Sequence, residues 1–240
     1  MTSNLSNATR EKLRRVSTAT LSTALYKRGL RNQFVQNVVP LGRAAQTMVG
    51  EAFTLRYIPA REDLNQLSVF RNVDHPQRVA VETCPPGQVL IMDSRKDPRA
   101  ASAGAILVSR LMMRGVEGVV TDGGLRDSDE IASLPIASYH CRPSAPTNLT
   151  LHQAIDINVP ISCGDAAVWP GDVVVGDGDG VVIIPAHLVT EIADEAVQMT
   201  FYEDYVIEQV RKGTGIIGLY PLTDKAHQDA FERWQAEAKG

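Results

Sequence analysis

The densest chemical signal in the chain is Thr121-Asp122-Gly123-Gly124-Leu125-Arg126-Asp127, directly after a strand-like run ending Val119-Val120. Two adjacent glycines let backbone N–H groups approach a small anion, and Arg126 offers a planar fork that fits a carboxylate. Asp127 beside it is a hard oxygen ligand of the kind Mg²⁺ or Mn²⁺ takes. Taken alone, the same residues also describe a tight turn with a structural Arg–Asp pair, and short motifs match by chance often enough to prefer that plainer account. A second candidate is Ala103-Gly104-Ala105-Ile106-Leu107, at the head of a predicted helix. Its first-turn N–H groups and the positive end of the helix dipole would receive a carboxylate. A plain helix start packed on a sheet competes with that reading. Position joins the two segments: in a βαβ unit the next strand returns parallel, so its end comes back beside the head of the helix. Gly104 and Asp127 then face one crevice.

The elements that must position these residues are read from periodicity. Leu13, Val16, Leu21 and Leu25 recur near helical spacing and predict one helix over residues 6–28, stopped by Gly29. Strands are predicted over 48–57, 89–93, 116–121 and 136–139, with helices over 104–114 and 128–134. That alternation with short connections implies parallel βαβ units. Beyond it, residues 159–163, 172–176 and 180–185 are short β segments joined by Pro-Gly and Gly-Asp-Gly turns, which implies sheet folded against sheet. A long helix is expected over 186–212, closed by Gly213. The polar tail after Pro221 is helix-prone, with Phe231 and Trp234 as anchors. With no repeat or linker, one domain over 1–240 is expected, carrying a helical extension over 221–240.

Composition narrows the classes. Of 240 residues, 44% are hydrophobic and 22% charged, enough to build a core. Lys and Arg number 24 against 28 Asp and Glu, so the basic excess of a general nucleic-acid binder is missing. Cys84, Cys141 and Cys163 form no CxxC pair, which argues against a disulfide framework or a zinc-thiolate site. No run approaches the ~20 apolar residues of a membrane span, and the start of the chain lacks a secretory signal. A cytoplasmic protein without membrane contact is expected. The five histidines have no metal-ligand spacing, and Ser144 lacks a nucleophile elbow. The Gly-Asp run over 170–185 leads into a strand, so it is read as a hairpin rather than a dinucleotide or calcium loop. Glu203, Asp204 and Glu208 are read as a solvated helix face, with Phe201, Tyr202 and Tyr205 marking a packed side.

Five pieces in fixed order carry a family resemblance. They are Leu21-Ser22-Thr23-Ala24-Leu25, Gly104-Ala105-Ile106-Leu107, residues 115–127, Pro170-Gly171-Asp172 and residues 177–185. From the first helix to Gly213 the chain resembles the family that groups regulator of ribonuclease E activity A (RraA) with class II 4-hydroxy-4-methyl-2-oxoglutarate aldolases. The resemblance implies an α/β fold of the RraA-like, swivelling β/β/α type: a central β-sandwich flanked by helices, assembled as a homotrimer or as a hexamer of two trimers. It implies a divalent-metal-dependent lyase that cleaves a 4-hydroxy-2-oxo acid to pyruvate, decarboxylates oxaloacetate, or does both through a metal-stabilised enolate. In the aldolase branch the motif Arg holds the substrate carboxylate and the next Asp carries Mg²⁺ or Mn²⁺; these roles fall on Arg126 and Asp127. The amides that contact the 2-oxo acid fall on Gly104, Ala105, Ile106 and Leu107. A glutamate on the C-terminal helix that reaches the neighbouring subunit's site falls on Glu203. Two positions depart from the aldolase pattern: Ala105 stands where an acidic residue is common, and Thr23 replaces an acidic residue of the first helix. Two other readings therefore stay open: a non-catalytic regulator that binds an RNA-processing enzyme, and a lyase or hydratase for a sugar-derived 2-oxo acid.

Overall fold

Two serine caps set the start of the chain's structure, a computed structural model that describes residues 5–42 and 46–238. The hydroxyl of Ser6 accepts from Thr9 N–H and that of Ser17 from Thr20 N–H, both at 3.1 Å. Each satisfies an orphan donor of a helix's first turn. The single helix expected over 6–28 is therefore two, α1 (Asn7–Arg14) and α2 (Thr18–Tyr26). The apolar spacing runs on across the break because Leu13, Val16, Leu21 and Leu25 all enter the same core.

The next elements are β1 (Val39–Pro40), β2 (Met48–Pro59), α3 (Pro76–Thr83), β3 (Gln88–Asp93), β4 (Ala101–Ala103) and α4 (Ala105–Met113). Then come β5 (Gly118–Thr121), β6 (Gly124–Leu125), α5 (Ser128–Ser133), β7 (Ala137–His140) and β8 (Arg142–Pro143). The β-rich half holds β9 (His152–Ile157), β10 (Ile161–Cys163), β11 (Ala166–Val168), β12 (Val173–Gly176) and β13 (Val181–Ile184). The long α6 (Val189–Arg211) and α7 (Lys225–Ala238) follow. Every strand and helix expected in the middle block is present within a few residues of its predicted bounds.

The main sheet runs β1-β7-β5-β3-β2-β12-β13, with β9 also on β2. β2, β3, β5 and β7 pair in parallel, and β12 joins β2 antiparallel. The β12–β13 hairpin thus extends the parallel sheet. Sheet on sheet is found instead at the β10–β11 hairpin, where Ile161, Cys163 and Val168 share a core with Val89, Ile91 and Val174. The sheet nearly closes on itself, because one segment ties its two edges. Val35 N–H bonds Val181 O at 2.8 Å on β13, while Leu41 N–H bonds Ser138 O at 2.7 Å on β7. Helices flank the result: α3 and α4 cover one core, and α1, α2 and α6 cover another. On α6, Phe201 and Tyr205 receive Trp234 and Phe231 of α7 at centroid distances of 4.9 and 5.1 Å. Glu208 there accepts from Trp234 Nε1 at 3.1 Å, so it is tied to α7 rather than merely solvated.

What positions the candidate chemistry is a second, smaller sheet. Each of β3, β5 and β7 is followed by a short strand, β4 after a seven-residue turn region, and these pair in parallel as β4-β6-β8. Asp122, at the joint between β5 and β6, is buried and accepts N–H bonds from Ser94 (2.6 Å), Lys96 (3.1 Å) and Gly164 (3.2 Å). Beside it Ser94, Ser102 and Thr121 close a ring of buried hydroxyls, 2.7–3.1 Å apart. Burial pushes the Asp122 carboxyl up to about 6, against the N–H bonds and with the help of nearby Asp93. A folded-state value above the unfolded one means that the folded chain binds the extra proton between about pH 4 and 6, so this group's contribution to stability falls as pH rises through that window. Asp122→Asn turns an NH₂ toward N–H donors and should cost about 1–3 kcal/mol. Urea unfolding from pH 4 to 7 checks both points: the variant should be less stable and should lose that part of the pH slope. An unchanged midpoint would remove Asp122 from the scaffold.

Candidate functional site

The crevice lies where the heads of α4 and α5 meet the ends of β4 and β6. It encloses about 160 Å³, and Gly104, Leu107, Arg126, Asp127, Gln77, Arg78 and Asn148 are among the residues that line it. Gly104 and Asp127 do face one crevice, as the βαβ argument expects. Their approach is very close: a Cβ on Gly104 would stand 2.7 Å from Asp127 Oδ2 and 2.8 Å from Arg126 Cγ. Only glycine leaves room for both side chains.

Asp127 has a left-handed backbone, φ 57° and ψ 43°, and begins α5 without capping it. Instead its Oδ2 reaches across to accept from Ala105 N–H at 3.2 Å, at the head of α4. The Arg126 Nε lies 3.5 Å from the same oxygen, with both side chains roughly half exposed. A pair so placed contributes about 0–1 kcal/mol, so stability gives little reason for it. Neither terminal nitrogen of Arg126 has a protein partner among the described residues, which leaves the guanidinium fork for a ligand.

Of the four amides named for the 2-oxo acid, two are engaged. Ala105 N–H is held by Asp127, and Leu107 N–H bonds Gly104 O at 3.0 Å. Those of Gly104 and Ile106 have no acceptor among the described residues and stand at the positive end of α4. Glu203 is not in this protomer's crevice. It sits between α2 and α6, where Thr20 Oγ1 donates to it at 2.8 Å. Thr23 donates to its own helix at Ala19 O.

A divalent ion would find one carboxylate here, Asp127; no group of three or more His, Cys, Asp or Glu able to hold a metal occurs among the described residues. That donor set fits Mg²⁺, which keeps several waters and is bound through one or two carboxylates plus oxygens of the substrate. It does not fit an all-protein zinc or calcium cage. The cysteines offer no nucleophile. Burial pushes Cys84 up to about 12 and Cys141 up to about 11, and holds Cys163 well above its usual range. Ser144 packs against Gly124, where a Cβ would stand 2.6 Å from its own.

Gln77, Arg78 and Asn148 carried no sequence motif. The first two sit on α3, which the periodicity did not assign, and Asn148 lies beyond β8. The one signal available was Pro76 directly after His75, a common way to begin a helix.

Comparison with known proteins shows what the chain is similar to. The model of the RraA-like family, described as Aldolase/RraA, matches residues 18–183. A "Putative 4-hydroxy-4-methyl-2-oxoglutarate aldolase" of Halalkalibacterium halodurans is 37% identical over 100 residues, which cover 42% of this chain and 47% of that protein. A protein of the same name from Azotobacter vinelandii is 30% identical over 108 residues, covering 45% and 66%. The chain thus spans about half the length of the first of these curated relatives. Among solved structures, Streptomyces coelicolor RraAS2, described as an unusual member of the RNase ES inhibitor RraA protein family, superposes with a TM-score of 0.73. It is 26% identical, over 83% of this chain and 96% of that one. An uncharacterized Pseudomonas syringae protein, 21% identical over 90% and 98%, shares the fold with a TM-score of 0.74.

Gly104→Ala tests the close approach. The added methyl must displace Arg126 and Asp127, at a cost of about 1–3 kcal/mol. Chemical denaturation should show that loss, and a variant as stable as the parent would mean the two segments are not in contact.

Proposed function

The chain belongs to the RraA-like family, and we propose that it is a divalent-metal-dependent carbon–carbon lyase acting on a 2-oxo acid. One observation carries this reading: a cation, a carboxylate and two open amides converge on a single crevice because Gly104 has no Cβ. The Arg126 fork pairs with the 2-oxo acid's carboxylate in two parallel bonds. The N–H groups of Gly104 and Ile106 donate to the same end of the ligand and fix its orientation. Asp127 would hold Mg²⁺ or Mn²⁺, which when bound supplies a Lewis acid for the negative charge that grows on the keto oxygen as the C3–C4 bond breaks. The products are pyruvate and either a carbonyl compound, from a 4-hydroxy-2-oxo acid, or carbon dioxide, from oxaloacetate.

The two reactions ask different things of the chain. Retro-aldol cleavage must remove the proton of the 4-hydroxyl, and Ala105 supplies no carboxylate for it. The resemblance would bring Glu203 of a second copy, in a trimer or a pair of trimers, to this site to assist that proton transfer. Oxaloacetate releases carbon dioxide without such a proton transfer, so Ala105 does not impede it. No Schiff base is invoked, since no lysine among the described residues lines the crevice. The likeness to RraAS2 favours a second reading, a regulator that docks on an RNA-processing enzyme. Metal affinity separates the two, because docking requires no ion at Asp127.

The test is pyruvate release from 4-hydroxy-2-oxo acids and oxaloacetate, with and without Mg²⁺ or Mn²⁺. Turnover should be abolished by EDTA and by Asp127→Ala, with folding retained; full activity in that variant would sink the metal assignment. Arg126→Ala should weaken 2-oxo acid binding by about 2–5 kcal/mol. Unchanged inhibition by oxalate or pyruvate would remove Arg126 from carboxylate binding. No turnover together with no metal binding would leave the regulator.

A further inference from the structure

The segment that joins β2 to α3 reaches the crevice with little to hold it down. Between Pro59 and Pro76 it contains one 3₁₀ turn, Leu67–Arg71, and a connection of that length in a compact domain usually has a function, lids among them. None of residues 60–74 is buried, and none belongs to an apolar core. Bonds to the frame are confined to its first part: Ala60 N–H to Leu151 O at 3.0 Å, and Asn65 Nδ2 to Gln153 Oε1 at 3.1 Å. From Gln66 to Asp74 the hydrogen bonds among the described residues close locally. Val69 N–H bonds Gln66 O, Asn72 N–H bonds Val69 O, Asp74 N–H bonds Asn72 Oδ1, and His75 N–H bonds Asn72 O. Few buried contacts and exposed backbone bonds mark the least stable parts of a fold, from which active-site lids are drawn.

What the segment touches is the crevice. Phe70 is its one residue among those that line it, with the ring 4.5 Å from the Arg78 guanidinium and 5.2 Å from the His75 ring. Leu67 stands three residues earlier in the same 3₁₀ turn, where i and i+3 eclipse, so it shares the face of Phe70. It is nevertheless 74% exposed. Ile106, which lines the crevice at the head of α4, is 83% exposed. A single exposed apolar side chain needs no explanation, but these two stand at one crevice on separate elements, and neither packs in an apolar cluster. The crevice also holds two guanidinium groups, Arg78 and Arg126, against one carboxylate, Asp127. Covering it while empty would take unpaired charge out of water, and an anion that pairs with those cations lowers that cost.

We propose that residues 61–74 are a lid that closes over a bound anion, turning the Leu67–Phe70 face onto Ile106. The pivots are Ala60, tied to Leu151, and Pro76, the first residue of α3. Closure excludes water from the ligand, which strengthens its pairing with Arg126 and shields the charge that grows on it during bond breaking. The lid rests on the lyase reading for the identity of the anion, a 2-oxo acid. Its closure follows from the ligand's preference for the covered crevice over the open one.

The test uses the full chain with Mg²⁺ and oxalate, an anion that has no bond for a retro-aldol step to break. On saturation with oxalate, hydrogen exchange over residues 66–74 should slow about tenfold, while α7 keeps its rate. Oxalate bound without that slowing would overturn the lid. Leu67→Gln changes an exposed position, so Tm should stay the same while oxalate binds about tenfold more weakly through faster release. Unchanged affinity and release in that variant would overturn the closing face. Slowing over residues 66–74 that follows protein concentration without oxalate would make this face a contact between copies, not a lid. Failure of oxalate to bind the wild type would instead overturn the 2-oxo acid reading, and the lid with it.

Discussion

The missing side chain of Gly104 is the constraint from which the rest of the site follows. It lets the head of α4 come against Arg126 and Asp127 closely enough for a carboxylate oxygen to take Ala105's N–H. The contact is not self-sustaining. A left-handed Asp costs free energy, and an exposed ion pair returns little. The surrounding frame must supply the difference. Arg126 N–H bonds Ala103 O at 3.1 Å, Ile131 N–H bonds Asp127 O at 3.0 Å, and Leu125 between the strands is fully buried.

That frame is polar where an ordinary core would be apolar. Behind the glycines lie the ring of Ser94, Ser102 and Thr121 hydroxyls and the Asp122 carboxylate, and each has its partners inside the protein. Fully satisfied, such a network fixes one arrangement, because any shift leaves a buried group unpaired. Gly123 belongs to the same argument: a Cβ there would stand 2.6 Å from that of Ser94 and 2.7 Å from Ser102 Oγ. The motif's two glycines thus serve the network behind and the small sheet beside it, while Arg126 and Asp127 serve the crevice in front.

This division explains what the sequence could and could not disclose. The pairing of Gly104 with Asp127 was legible because one local rule, the parallel return of a βαβ unit, brings them together. The break between α1 and α2 lay in the Ser17 cap, a single hydroxyl that hydrophobic spacing does not register. The β12–β13 hairpin showed its turns but not its neighbour, since joining β2 is a pairing across more than a hundred residues. The tie between sheet edges made by residues 33–41 is likewise a long-range event. Gln77 and Arg78 were hidden for the same reason: α3 meets the crevice only because its apolar side, through Ala80 and Val81, enters the core that holds Val108 and Leu111 of α4. Glu203 is the opposite case. The resemblance names it, yet in one protomer it lies on the far helix layer with Thr20, so any part it takes depends on assembly.

The elements that carry the crevice residues have a consequence for how such a protein changes substrate. The groups assigned to the carboxylate end of the ligand stand on strand ends and a helix head whose frame is locked by buried polar contacts, while the Arg126 and Asp127 side chains themselves are about half exposed. Gln77 and Arg78, which line the same crevice, stand on α3, joined to the frame by apolar packing and by the Gln77 bonds to Ser102 and Tyr57. Substitution at Arg78, which is partly exposed and stacked on Phe70, costs little packing. The lining of the crevice at Arg78 can therefore change while Arg126, Asp127 and the α4 head stay fixed. Ala105 fits that separation: a residue that contributes only its N–H to Asp127 leaves the anchoring contacts whole, and what it changes is which bond-breaking step lacks a nearby base.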